Sequence, residues 1–221
     1  AIKELLISYL NSKRIESKST EIQQDDVISA NSKQSKSSAD TTLDTRTVNG
    51  VSQKIATLSG IEYLTNLEIL DFSGHGLSKV DLSKNTKLRS LNCSDNQLSS
   101  LDLSAQNELA VLNCSNNKFT GDFDVSANPK LTSLDCSSNE ITELNVSANV
   151  ALETLICNSN KLTGSLDISA SPKINQVNCS DNTDLSQVIL PKDQEEPAEV
   201  IADEETSVIT VDMVDAVVFE D

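Results

Sequence analysis

The chain has 221 residues, and its 34 acidic residues against 17 basic ones give a formal net charge of −17. This charge argues against a nucleic-acid partner, because phosphate neutralisation needs clustered Lys and Arg. Aromatic residues are 3% of the chain and tryptophan is absent, which leaves few rings for stacking on a cofactor or a sugar. No apolar run reaches the roughly 18 to 20 residues that span a bilayer, so we expect no membrane insertion.

The first predicted element is a short N-terminal helix. The apolar residues of AIKELLISYL have helical spacing and form a stripe over residues 1 to about 12. The segment from about Asn31 to Thr47 is rich in Ser, Lys and Thr and predicts a flexible loop. Residues 1–54 are therefore predicted to be a helical cap and a loop. Their sequence lacks the D-x-D-x-D-G spacing of calcium loops, so we predict no calcium site there.

Residues 55–191 are predicted to be a solenoid, because similar units recur with a period of 21 or 22 residues. The consensus is L-x-x-L-x-C-x-x-N-x-L-x-x-L-D-L-S-x-N-x-x. An earlier unit, from Leu67, has Phe72 in the cysteine position, and a later unit, from Ile174, is degraded. The five units from Leu88 onward, including the degraded one, have a cysteine at this position: Cys93, Cys114, Cys136, Cys157 and Cys179.

The consensus resembles the leucine-rich repeat, whose signature strand reads L-x-x-L-x-L/C-x-x-N. The short period and the second motif, L-D-L-S or D-V-S, are similar to the 21-residue class of internalin-J-type adhesins and of surface proteins of gut bacteria. The phrase GIEYLTNL, from Gly60 to Leu67, also resembles the start of the first repeat in related bacterial proteins. The resemblance implies a right-handed, mostly β leucine-rich repeat solenoid with a parallel sheet on one face and a small helical N-terminal cap. A second short strand in each coil would replace the usual helix.

Two columns of side chains are expected inside the solenoid, since identical positions in adjacent coils stack about 4.8 Å apart. Stacked cysteine side chains point the same way, whereas a disulfide needs converging Cβ vectors and zinc needs four converging ligands. We therefore predict free, buried thiols, with no metal and no cofactor. The other column is expected to bond the backbone of adjacent turns, and it comprises His75, Asn96, Asn117, Asn139, Asn160 and Asn182.

A third column places Asp or Asn two residues before a serine in each unit. Stacked carboxylates would repel each other if they were bare, so serine hydroxyls and backbone amides are the expected partners. Carboxylates about 5 Å apart also match the pair of a retaining glycosidase. A structural role is favoured, because an active site should occur once and in a cleft. The column comprises Asp81, Asp102, Asp124, Asn145 and Asp167, which precede Ser83, Ser104, Ser126, Ser147 and Ser169.

The outward positions of the signature strands are the candidate binding surface. They are small and polar, so they offer many hydrogen bonds at low entropic cost, but they lack the Trp, Tyr and Arg anchors common in binding hot spots. The alternative is that much of this face is only solvated. The candidate binding residues are Asp71, Asn92, Asn113, Asp135, Ile156, Asn178, Ser94, Ser115, Ser137 and Asn158.

Residues 192–221 are predicted to be an acidic tail, with eleven acidic residues and one lysine. The stretch PKDQEEPAEV indicates a linker or a wrapping loop. The stretch SVITVDMVDAVVF is rich in valine and partly alternating, which predicts a strand that caps the open edge of the last coil. The acidic run is interpreted as a solvated face.

These features predict a monomeric, non-catalytic extracellular module that binds a protein or a glycan and mediates adhesion. The resemblance implies a secreted or surface-displayed location. An architectural spacer or stalk of a larger surface protein is the first alternative, and a glycoside-active β-solenoid enzyme is the second.

Overall fold

The computed structural model describes residues 42–44, 57–192, 194 and 197–211. The predicted N-terminal helix and the last part of the predicted capping segment, residues 212–221, lie outside the described residues. The described chain forms β-strands and a single-turn 3₁₀ helix, Ile61–Tyr63, which precedes the first complete repeat.

One face of the molecule is a parallel sheet of eight short strands, which we call the signature sheet. Equivalent residues face each other in adjacent strands, so that Leu91 lies opposite Leu70 and Leu112. This arrangement confirms the predicted solenoid with one signature strand per coil. In their order across the sheet, the strands are β1 (Thr42–Asp44), β2 (Ile69–Asp71), β3 (Ser90–Asn92), β4 (Val111–Asn113), β6 (Ser133–Asp135), β8 (Thr154–Ile156), β10 (Gln176–Asn178) and β12 (Glu199–Ile201).

A second layer of strands follows the signature strands in the later coils, whereas the coils of β2 and β3 lack the second strand that the resemblance implied for each coil. It is split into two separate sheets, β5 with β7 and β9 with β11 and β13. All pairs in this layer are parallel. The strands are β5 (Thr120–Asp124), β7 (Glu140–Asn145), β9 (Thr163–Asp167), β11 (Asp184–Pro191) and β13 (Ser207–Val211).

The split in the second layer coincides with the alternation of 21- and 22-residue units. The longer units insert one residue within T-G-D or T-G-S, and Gly121 and Gly164 there adopt positive φ angles of 71° and 64°. The ladder of β5 with β7 changes register beside Gly121. Strands β5 and β9 of the 22-residue units each pair with the strand of the unit that follows, with one register shift, whereas β7 and β9 do not pair.

The core is continuous along the solenoid axis. Leu88, Leu91, Leu98 and Leu103 of one coil are buried, and their equivalents in the neighbouring coils are buried as well, whereas Leu101 is half-buried. The rings of Phe119 and Phe123 lie 5.0 Å apart and fill the wider interior of a 22-residue coil. Each large apolar side chain contributes about 1.5–3 kcal/mol when fully buried. Since the neighbouring coils bury these side chains, stability comes from the contacts between coils.

The stack is longer at both ends than the sequence pattern indicates. Strand β1 lies within the segment that predicts a flexible loop, and Leu43 pairs opposite Leu70, so the structure differs from the expectation at these three residues. At the other end, β12 lies in the segment that predicts a linker, and β13 pairs with β11. The solenoid thus continues beyond Pro191 by one more coil.

Candidate binding face

The outward side of the signature sheet carries a repeated hydrogen-bonded motif. In the fourth strand of the sheet, Asn113 Oδ1 accepts hydrogen bonds from the Ser115 backbone amide at 3.0 Å and from its hydroxyl at 2.7 Å. Asp135 Oδ1 holds Ser137 in the same way, at 3.1 and 2.6 Å. The same geometry occurs at Asp71, Asn92 and Asn178. Each of these polar side chains is therefore held in place before any partner arrives.

The row is interrupted in the coil of β8. Ile156 stands where the other coils have Asp or Asn, and Asn158 stands in the serine position. In this coil, the side-chain Nδ2 of Asn158 donates a hydrogen bond to Ser159 Oγ at 3.1 Å. The sequence analysis counted both residues among the binding candidates, and the structure places both on the same face as the others.

Neighbouring strands differ in how their outward groups are linked. Asn92 Nδ2 donates to Asp71 Oδ2 at 3.0 Å, which ties the first two coils together. Asn113 and Asp135 are also register partners, but no hydrogen bond joins their side chains among the described contacts. An amide donor and a carboxylate acceptor thus lie side by side at the centre of the face.

Aliphatic side chains are exposed on the same face. Ile69, Val111 and Ile201 are 42%, 41% and 45% exposed, and Ile156 is half-buried. The face therefore combines polar groups with isolated apolar contacts, although the described part of it contains no aromatic anchor.

The asparagine column inside the solenoid is confirmed. Asn139 Nδ2 donates to the carbonyls of Cys114, Cys136 and Ser137 at 3.0 to 3.3 Å, and its Oδ1 accepts from the Phe119 amide at 3.1 Å. The four equivalent asparagines bond in the same way. His75 occupies the first position of the column and is buried. These residues fasten the turns that follow the signature strands.

The cysteine column is confirmed as well. All five cysteines are free and buried. Burial raises the pKa of the Cys179 thiol, near the end of the stack, to about 11. Burial also raises the pKa of the other four thiols well above the usual range. Neutral thiols in an apolar interior act as small packing groups.

A second amide column lies beneath the turns that follow the second layer, and the sequence analysis did not single it out. Asn128 Nδ2 donates to the carbonyls of Leu103 and Gln106 at 3.1 and 3.0 Å. The signal was present in the consensus, as the Asn after D-L-S-x. Unlike the first column, its side-chain oxygens have no partner among the described atoms. Its members are Asn85, Gln106, Asn128 and Asn149, with Ser171 in the next coil.

The aspartate column at the end of the second layer has the predicted structural partners. Asp81, Asp102 and Asp124 each accept a hydrogen bond from the backbone amide of the serine two residues on, at 2.8 to 2.9 Å. Hydrogen bonds from the amide and hydroxyl of that serine lower the pKa of each carboxyl. A general acid needs a raised pKa instead, so these carboxylates suit turn closure better than glycoside cleavage.

A polar cleft of about 390 Å³ opens where β7 and β9 fail to pair. Thr142 and Glu143 line one side and Ser165 lines the other.

Within the described residues, no group of three or more His, Cys, Asp or Glu side chains could hold a metal ion. No helix among them is long and apolar enough to cross a membrane.

Comparison with known proteins places the fold. No protein-family model matches the chain, and no curated protein matches it. Among solved structures, it is similar to the functional domain of InlJ from Listeria monocytogenes, which includes a cysteine ladder. The identity is 35% and the TM-score 0.59, over 69% of this chain and 31% of that one. The chain thus spans about a third of that structure's length.

Two further structures share the fold at lower identity. A leucine-rich repeat protein from Leptospira interrogans is 24% identical with a TM-score of 0.59, over 70% of this chain and 42% of that one. Internalin C2 from Listeria monocytogenes is 17% identical with a TM-score of 0.56, over 94% of this chain and 91% of that one. These two structures show the shared fold, whereas the cysteine ladder is common to this chain and the InlJ domain.

Proposed function

Since the chain is a bacterial leucine-rich repeat protein of the short, cysteine-ladder class to which InlJ belongs, we propose that it is a non-catalytic binding module. It acts outside the cell, secreted or displayed at the surface, and binds a protein or a glycan through the outward face of the signature sheet. The proposed contact residues are the Asp, Asn and Ser row from Asp71 to Asn178, together with Ile156 and Asn158.

The observation that carries the proposal is the continuity of this face. The strands in register from β2 to β12 place equivalent side chains in straight rows, and the Asx and Ser side chains in those rows are fixed by internal hydrogen bonds. Fixed side chains lose little entropy on binding. The second layer, in contrast, is split into two sheets and presents no comparable continuous surface.

The ligand must span several coils. A single hydrogen bond contributes only about 0.5–1.5 kcal/mol net, and the described face has no aromatic or arginine anchor to concentrate the binding energy. Useful affinity therefore needs contacts from several strands together. A large glycan or a protein surface provides such contacts, whereas a small metabolite does not.

A catalytic role is the less favoured alternative. The repeated carboxylates of the second layer serve as turn caps and have lowered pKa values. The cleft between β7 and β9 is lined by Asp122 and Glu143, which are register partners in adjacent strands, but no basic or aromatic residue that could bind a sugar lines it among the described residues. We therefore propose that the chain is not an enzyme.

The test is a comparison of two double variants with equal changes in charge. Asn113→Arg with Asp135→Arg alters the centre of the signature sheet, and Asp122→Arg with Ser165→Arg alters the second layer. All four positions lie at least partly in solvent, so both variants should melt close to the wild type. Binding would be screened on a glycan array and on an array of extracellular proteins.

We expect the signature-sheet variant to lose binding to the ligand found in the screen, and the second-layer variant to retain it. Normal binding by the signature-sheet variant would contradict the proposal. The absence of any ligand on either array would favour the architectural spacer.

A further inference from the structure

We infer that the partner which the signature sheet receives is a basic protein segment, with Lys or Arg side chains laid across several strands. This inference rests on the proposed function and names the class of partner for the same face. It follows from the charge of the face and from where its exposed aliphatic side chains lie.

The charge of the face is one-sided. In each coil from β2 to β12, the five residues from the third strand position through the following turn form its outer edge: residues 71–75, 92–96, 113–117, 135–139, 156–160, 178–182 and 201–205. These segments contain no Lys or Arg, but they contain Asp71, Asp95, Asp135, Asp181, Asp203, Glu204 and Glu205. Five of the seven segments contain a carboxylate, whereas 113–117 and 156–160 contain none and are followed by Lys118 and Lys161, so the negative charge is concentrated in the coils of β2, β3, β6, β10 and β12.

Two carboxylates of this edge, Asp95 and Asp203, are held by neutral donors. Asp95 accepts a hydrogen bond from Asn116 Nδ2 at 2.5 Å. Asp203 accepts from the backbone amides of Asp181 and Asn182 at 2.8 and 3.0 Å. The ion pairs Lys130 with Glu108 and Lys161 with Glu140 lie outside these segments. At Asp95 and Asp203, these hydrogen bonds fix the position of the charge without neutralising it, so a cation of the partner can pair with either carboxylate.

An aliphatic side chain lies beside the carboxylate at three separate places. Ile69 and Ile201 each precede an edge carboxylate, Asp71 or Asp203, by two residues and are 42% and 45% exposed. At the centre, Ile156 is the register partner of Asp135. Lys and Arg side chains combine an apolar stem with a cationic head, so an aliphatic surface next to a carboxylate matches both of their parts.

The spacing of these three places defines the shape of the partner. They lie on β2, on β6 with β8, and on β12, which are separated by six strand steps in all. At about 4.8 Å per step, the row is roughly 29 Å long. A small polyamine reaches only part of this length, whereas an extended peptide of about nine residues covers it at roughly 3.3 Å per residue.

The experiment measures fluorescence anisotropy of a labelled peptide of about twelve alternating Lys and Ser residues against the whole 221-residue chain. The first variant combines Asp95→Asn, Asp135→Asn and Asp181→Asn on the edge. The control combines Asp81→Asn, Asp102→Asn and Asp124→Asn at the turns of the second layer. Both variants remove three charges, and an Asn or a neutral polar residue already occupies an equivalent position elsewhere in each column.

We expect the edge variant to bind the peptide about tenfold more weakly than the wild type, since three exposed charge pairs contribute about 0.2–1 kcal/mol each. The control variant should lose less than about threefold, which is the effect of net charge alone. The difference should shrink as the salt concentration rises.

Equal losses in both variants would overturn the inference, because the peptide would then respond only to net charge. A second result would also overturn the inference: a ligand found on the arrays that no longer binds the double variant Asn113→Arg with Asp135→Arg but binds the edge variant normally. That second result would leave the proposed function intact and identify a neutral protein or a glycan as the partner.

Discussion

The two strand layers of this solenoid differ in regularity although they are built from the same repeats. The signature sheet is continuous over eight strands, whereas the second layer is divided between β7 and β9. In the half of each unit that contains the signature strand, which we call the signature half, the number of residues from the first Leu of the unit to the Asn of the inner column is constant. The additional residue of the 22-residue units lies in the other half of the unit, near Gly121 or Gly164. Constant spacing thus accompanies the continuous face, and length variation is confined to the opposite layer.

The largest expected difference is in thiol chemistry, because the signature half buries every cysteine. The pKa of Cys179 is raised from 9.0 to about 11, which lowers its thiolate fraction about a hundredfold at neutral pH. The four cysteines inside the stack should react still more slowly. Titration with a thiol reagent should show little reaction in the native protein and five equivalents after denaturation. Fewer equivalents without reductant would contradict the free-thiol ladder.

Truncating one leucine in each layer of the same coil compares their packing. Leu134 lies in the signature strand β6 and is 0% exposed, so Leu134→Ala should cost about 2–5 kcal/mol of unfolding free energy. Leu144 lies in β7 and is half-buried, so Leu144→Ala should cost less, about 1–2 kcal/mol. Urea denaturation measures both. Equal losses would show that the two layers pack equally well.

The two amide columns give a smaller contrast. Asn139→Ala in the signature half would strand three carbonyls and one backbone amide that Asn139 now satisfies, at a cost of about 2–4 kcal/mol. Asn128→Ala removes donors to only two carbonyls and should cost about 1–2 kcal/mol. Asn128→Ser should be milder still, since Ser171 occupies the equivalent position naturally. A larger loss for Asn128→Ala would reverse the ranking of the columns.

The smallest expected effect is at the inserted residue. Gly164 has a φ of 64°, and a Cβ added there would meet no atom within 4 Å. Gly164→Ala should therefore cost only the left-handed strain, about 1–2 kcal/mol. Ser165→Ala, next to it in the exposed part of β9, should change stability by less than about 0.5 kcal/mol. Thermal melts of both variants check this, and an unchanged melting temperature for Gly164→Ala would mean that the turn relaxes.

The predictable parts of the structure are those that repeat. The signature strands, the cysteine and asparagine columns and the capped aspartates recur in almost every unit, so stacking alone determines their neighbours. Strand β1 was missed because a three-residue T-L-D match is too short to stand out. Strand β12 was missed because the acidic sequence around Glu199 hides a pattern with Val200 in the leucine position. The break between β7 and β9 depends on relative register, which a single unit does not reveal.

The central claim is that the ligand lies on the signature sheet and not on the second layer. Carbodiimide labelling of carboxylates, read by mass spectrometry with and without the ligand from the array screen, tests it directly. Asp135 is half-buried in the signature sheet and Asp122 is exposed in β5, so each reports on one layer. Bound ligand is expected to protect Asp135 from labelling and to leave the labelling of Asp122 unchanged. Protection of Asp122 with unchanged labelling of Asp135 would contradict the central claim.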